Sequence, residues 1–157
     1  MNTSILRCLG ALAIIMVTSP RSVDAAAPDG HYVITAGSGA GNGTVYDSKS
    51  KLTWQQTVSS AKYSWTEAKS YCAGVGATLG GTGWRVPTIK ELLSIVDFSQ
   101  GGPAVDRNAF PSTPSGEFWS SSPKAHSSSY AWLVHFGSGG DVYDGSVSST
   151  FSVRCVR

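Results

Sequence analysis

Few charges, few cysteines and no long apolar run set the first limits on this chain of 157 residues. Charged residues make up 14% of it, against ~25% in an ordinary soluble domain, which argues against a coiled coil, a long-helix bundle or a charge-driven disordered chain. Lys and Arg number 12 and Asp and Glu 10, and a net charge of +2 gives no basic face to recruit a polyphosphate, so no nucleic acid is expected as a partner. The apolar stretch from Leu9 to Val17 is far below the ~20 residues that cross a bilayer as a helix, and no later segment comes closer, so no membrane span is expected. Cys-x-x-Cys, His-Glu-x-x-His and Gly-x-Ser-x-Gly are all missing. His31, His126 and His135 are scattered, nothing pairs a nucleophile with a base, and the chain is not expected to be an enzyme or to carry a cofactor. The Gly37–Gly43 stretch runs into strand-like Thr44–Tyr46 rather than a helix, which removes it as a phosphate cradle.

What is present is punctuation. Eighteen Gly and seven Pro are spread along the length, as in a turn-rich globule of one domain. Arg7, the apolar run and the small residues up to Ala27 follow the order of a secretory signal peptide, with cleavage expected after Ala25 and a mature domain over 26–157. Cys8 precedes the apolar run, so no lipid anchor is expected. Removing Arg7, Arg21 and Asp24 leaves 10 basic and 9 acidic residues of the 12 and 10, a nearly neutral product that is secreted or periplasmic. Cleavage also leaves Cys72 and Cys155 alone in an oxidising compartment, where an even count reads as a disulfide.

His31–Thr35 reads as the first strand, and Thr44–Tyr46 with Leu52–Gln55 as a hairpin around the polar turn Asp47–Lys51. Ser64-Trp65-Thr66-Glu67 is a capping box, and Trp65, Ala68 and Cys72 share one helical face that turns Cys72 to the core; Gly74 to Gly83 should end the helix. A second box, Thr88 to Glu91, opens a helix with Ile89, Leu92, Leu93 and Val96 on one face, stopping near Asp97. Beyond Pro103, Pro111 and Pro114 come strand-like runs at 117–121, 130–136, 141–143 and 151–156. Both faces of the second are apolar, which makes it central. In the last, Phe151, Val153 and Cys155 point one way and Ser152 and Arg154 the other, so Cys155 also faces inward.

Several segments in order resemble a known family: Gly43–Asp47 with Leu52–Gln55, Trp65–Cys72, Gly83-Trp84-Arg85-Val86-Pro87-Thr88 with Lys90–Leu92, Phe118–Ser122, Ala131-Trp132 and Val153–Arg157. This is the pattern of the DUF1566 family, the C-terminal domain of collagen-like adhesins, and it runs from about His31 onward. The resemblance implies an α+β, C-type-lectin-like fold in which two helices flank a mixed, mainly antiparallel sheet and a disulfide joins the first helix to the last strand. It also implies an adhesin-like recognition domain. Its best-studied relatives look like surface adhesins for sulfated polysaccharides.

The residues allow several sites. Arg85 offers a fork for a carboxylate or sulfate, but an internal carboxylate, Glu91 or Asp97, satisfies it more simply. Calcium-dependent lectins of this fold use acidic-Pro-Asn and Trp-Asn-Asp triplets, which this chain lacks, and Asp141 with Asp144 supplies two donors where calcium wants six to eight oxygens. No metal is therefore expected. An oxidase of the formylglycine-generating kind shares the fold but needs a redox-active cysteine pair, and a structural envelope or filament subunit is the other alternative. Trp119 and Trp132 sit in strand-like runs and read as core. The preferred reading is a binding module for an extracellular glycan or protein, held weakly and without calcium by C-terminal loops around His126, Tyr130, Asp141, Tyr143 and Asp144. Lys124, Arg154 and Arg157 are the cations of that half, and a polyanion would be held only if copies pool their charges in a homo-oligomer.

Overall fold

A computed structural model describes residues 30–37 and 43–157. The expected leader over 1–25 and most of the Gly-rich stretch lie outside the described residues. Hydrogen-bond pairing produces two separate antiparallel sheets. The first joins β1 (Tyr32–Thr35), β2 (Thr44–Asp47) and β3 (Thr53–Gln55) in sequence order. The second joins β4 (Glu117–Lys124), β5 (Ser127–His135) and β6 (Asp141–Ser146), with β5 central as its two apolar faces require. The single mixed sheet is thus corrected. The only parallel pairing among the described residues is an isolated bridge from Phe118 to Ser152.

The reason lies in residues 151–157, which form no regular strand. They change partner at almost every step: Phe151 bonds to Tyr63, Ser152 to Glu117 and Trp119, Cys155 to Gln55, Val156 to Arg85 and Arg157 to Thr53. A segment that stitches two sheets together cannot be a rung of either. Its alternation nevertheless holds, because Val153 and Cys155 enter one apolar cluster while Val156 enters the other.

Both capping boxes form. Ser64 accepts from the Glu67 amide and starts α1 (Trp65–Gly74), and Thr88 does the same for Glu91 at the start of α3 (Ile89–Leu93). Their ends differ from the sequence reading. After Val75 the chain makes one more turn, α2 (Gly76–Leu79), before Gly80 takes a positive φ. α3 stops at Leu93, short of Asp97, because Ser94 caps it by bonding back to Glu91 and Asp97 turns to the carbonyl of Ala104.

The β4–β6 sheet lies between two cores. Phe118, Val134 and Phe136 pack with Leu92, Ile95, Phe110, Val45, Trp54 and Val156 on the α3 side. Trp119, Ala131 and Leu133 pack with Ala68, Cys72, Trp84, Val86 and Val153 on the α1 side. Trp119 is fully buried, a core residue rather than a stacking surface. The second core is closed covalently by Cys72–Cys155, whose Cα atoms lie 5.3 Å apart across a sequence separation of 83. The expected disulfide is present.

Candidate functional site

Register decides which candidate residues can meet. Along β5, Tyr130, Trp132 and Val134 alternate with Ala131, Leu133 and His135. Pairing with β6 sets Ser146, Asp144 and Val142 beside the first group and Gly145, Tyr143 and Asp141 beside the second. Of the five expected ligand residues, Tyr130 and Asp144 therefore share one face, and Asp141 and Tyr143 the opposite one. His126 belongs to neither: it sits in the tight turn between Lys124 and Ser127, exposed and at φ 61°. Four of the five are in strands. The loop placement is corrected, because Asp141–Ser146 ladders along β5 from Tyr130 to His135.

On the first face Tyr130 is 42% exposed although it lies within a strand. Lys124 Nζ stands 5.7 Å from its ring centroid and donates to Asp144 Oδ2 at 2.9 Å. Trp132, expected in the core, is only half-buried: it follows Tyr130 on the same face of β5 and is the register partner of Asp144. Aromatic surface, one cation and one carboxylate are thus gathered on neighbouring rungs. Lys124, named among the cations but not among the expected site residues, joins the face through its bond to Asp144 across the sheet.

The opposite face is internally satisfied. The Tyr143 hydroxyl donates to Asp141 Oδ2 at 3.3 Å and lies 3.0 Å from the Ser138 hydroxyl, and its ring meets His135 edge-on at 6.0 Å. His135 Nδ1 accepts from the Ser138 amide at 3.0 Å, and its Nε2 lies 3.9 Å from Glu117 Oε1. These groups brace the short 3-10 turn Phe136–Ser138 that leads into β6.

The other expected contacts resolve as structure. Arg85 is clasped by Glu91 through two bonds of 2.8 and 2.6 Å, as anticipated for an internal carboxylate. That fork, followed by the Thr88 amide and hydroxyl, holds the Glu91 carboxyl well below the usual range, at about 2. Arg154 is fully buried and so leaves the list of cations a ligand can reach. Arg157 stacks 5.5 Å from the Trp84 ring. Among the described residues no three His, Cys, Asp or Glu side chains gather as a metal site, and no helix is long and apolar enough to cross a membrane.

Fold and surface together define a small disulfide-closed α+β domain. Residues 43–157 match the model of the Lcl C-terminal domain, and the chain belongs to that family. No curated protein matches the chain.

Proposed function

We propose that this chain is a non-enzymatic binding module, secreted or held in the cell envelope, that takes a glycan or protein ligand on the β5–β6 face carrying Tyr130. The adhesin-like role and the C-type-lectin-like arrangement expected from the DUF1566 resemblance belong to the same reading. They draw support from family membership and from the disulfide between the first helix and the C-terminal segment. A disulfide is also the mark of an oxidising compartment. An oxidase of the formylglycine-generating kind would need a thiol pair, and the two cysteines among the described residues are joined to each other.

The observation that carries the proposal is the aromatic ring of Tyr130, 42% exposed in a strand, with Lys124 and Asp144 at its rim. A flat apolar face suits the C–H face of a sugar or an apolar peptide side chain, and the flanking charges suit the polar groups around it. With Arg154 buried the face has little positive charge, so the binding proposed is weak, independent of calcium and not directed to polyanions by the single copy.

A glycan array probed with the disulfide-bonded protein, with and without chelator, is the test. Ligands retained in chelator should be lost on Tyr130→Ala, with at least a tenfold fall in affinity and an unchanged melting temperature. Loss on Tyr143→Ala as well extends the site round to the other face. Binding retained in both variants overturns the assignment.

A further inference from the structure

Two sheets have four outer edges, and the chain itself closes two of them. The edge of β3 bonds to Cys155 and Arg157, and that of β4 to Pro87 and Ser152. The edge of β1 is flanked by residues outside the described ones. β6 differs from all three, because no described residue pairs with its outer edge.

Alternation fixes which groups lie there. The Val147 amide donates to Ser129 beside the Tyr130–Ser146 pair, so Gly145, Tyr143 and Asp141 turn their amides and carbonyls to β5, while those of Asp144 and Val142 point outward. Among the described residues these outward groups have no hydrogen-bond partner. Val142 and Tyr143 are each 41% exposed on opposite faces, so the strand stands clear of the body on both sides. Folded chains ordinarily guard such an edge with Lys, Pro or a bulge. β6 has neither residue, and its ladder with β5 runs without a register shift. Its two carboxylates guard it poorly, because Lys124 answers Asp144 at 2.9 Å and the Tyr143 hydroxyl answers Asp141 at 3.3 Å, both within the same sheet.

We propose that β6 pairs antiparallel with β6 of a second copy, about a two-fold axis at Tyr143, to give a six-stranded sheet. Self-pairing must set outward residues against outward residues, which leaves few registers. An axis at Asp144 sets that carboxylate against itself. An axis at Gly145 needs Ser146, whose carbonyl is taken by the Ser149 amide, and one at Val142 needs Gly140, whose amide is bonded to His135. With the axis at Tyr143, Val142 of each copy exchanges two bonds with Asp144 of the other, Asp141 lies opposite Gly145, and no like charges meet. The two Tyr143 rings then face each other in a close, non-hydrogen-bonded pair. One strand pair covers less than the ~800 Å² per partner of a standard interface, so the dimer is weak and forms at high local concentration. Opposed residues share a face, which brings both Tyr130 surfaces to one side of the sheet. That consequence rests on the proposed ligand face; the interface itself does not.

The test follows the disulfide-bonded protein by NMR from about 10 µM to about 1 mM, the range in which small interfaces form. Diffusion should slow to that of a dimer, and the Val142 and Asp144 amides should gain protection from hydrogen exchange in step with it. The Tyr143 and Gly145 amides, already bonded to β5, should change little. Val142→Asp, which sets like charges against Asp144 of the other copy, should weaken the dimer at least tenfold, whereas Val142→Lys, which sets opposite charges there, should not. Melting temperatures check that both variants fold, and if they do not, the exchange pattern of the unaltered protein decides alone. A monomer at 1 mM, a dimer without added protection at Val142 and Asp144, or equal responses to the two substitutions each overturn the proposal. Tyr130→Ala should leave the dimer unchanged, so failure here leaves the proposed ligand face standing, and failure there leaves this interface standing.

Discussion

The carboxylate of Glu91 accepts from the Thr88 amide and hydroxyl at 2.7 and 3.0 Å while clasping Arg85, so one charge holds both a helix start and a cross-link to the segment before it. Those bonds make the group more acidic in the folded chain, at about 2, than in the unfolded one, where a glutamate titrates near ~4.3. A carboxylate shifted down stabilises the fold in its charged form. The contribution is complete above about pH 5 and is lost as the pH falls through the unfolded value towards the folded one. Arg85 is 45% exposed, so solvent screens the pair and the total stays near ~1 kcal/mol. Urea unfolding of Glu91→Gln should show that deficit at pH 7 and converge with the wild type as the pH approaches 2. Parallel curves at all pH values would mean that the charge contributes nothing beyond shape.

At the scale of elements, local signals were legible and long-range ones were not. Ser64 to Glu67 and Thr88 to Glu91 announce their helices because a capping box is complete within four residues. The end of α3 was not announced, because the apolar period runs on to Val96 while Ser94 turns its amide and hydroxyl back to Glu91 and the Asp97 amide goes to the Ala104 carbonyl. The same holds for the site. Tyr130, Asp141, Tyr143 and Asp144 are visible as residue types, but which pair shares a face follows from a β5–β6 register that no single run of sequence states. Gly145 shows the difficulty most clearly. It lies in β6, beyond the expected strand end at Tyr143, where a Cβ would come within 2.7 Å of Leu133 Cδ1 and 2.9 Å of Phe151 Cε2. Overpacking of this kind costs roughly 1–3 kcal/mol, so Gly145→Ala should lower the melting temperature by roughly 3–10 °C. An unchanged melting point would mean that Phe151 has room to swing aside.

For the whole molecule the dominant constraint is the bond between Cys72 and Cys155. Closing a loop over a separation of 83 removes unfolded-state freedom on the order of 4–5 kcal/mol by the chain-entropy account. That is a large share of the ~5–15 kcal/mol by which a domain is ordinarily stable. Reduction under native conditions, or the paired change Cys72→Ala with Cys155→Ala, should therefore lower the melting temperature by roughly 10 °C or more. Retention of the oxidised melting point after full reduction would show that the two cores hold together without their clasp.

The stitching role of residues 151–157 also imposes a timetable on any chain made from its N-terminal end. When Ser146 has emerged, every strand of both sheets has its neighbours, yet the amides of Gln55, Arg85 and Trp119 still await the carbonyls of Cys155, Val156 and Ser152. The Arg154 guanidinium and the Cys155 amide reach back across 98 to 100 residues to Gln55 and Gln56, so the last step is one of long reach and slow closure. Until then Cys72 is a thiol without its mate, carried on a half-sealed globule. A chain halted in this window keeps a thiol able to pair elsewhere, and delivery of Cys155 removes it.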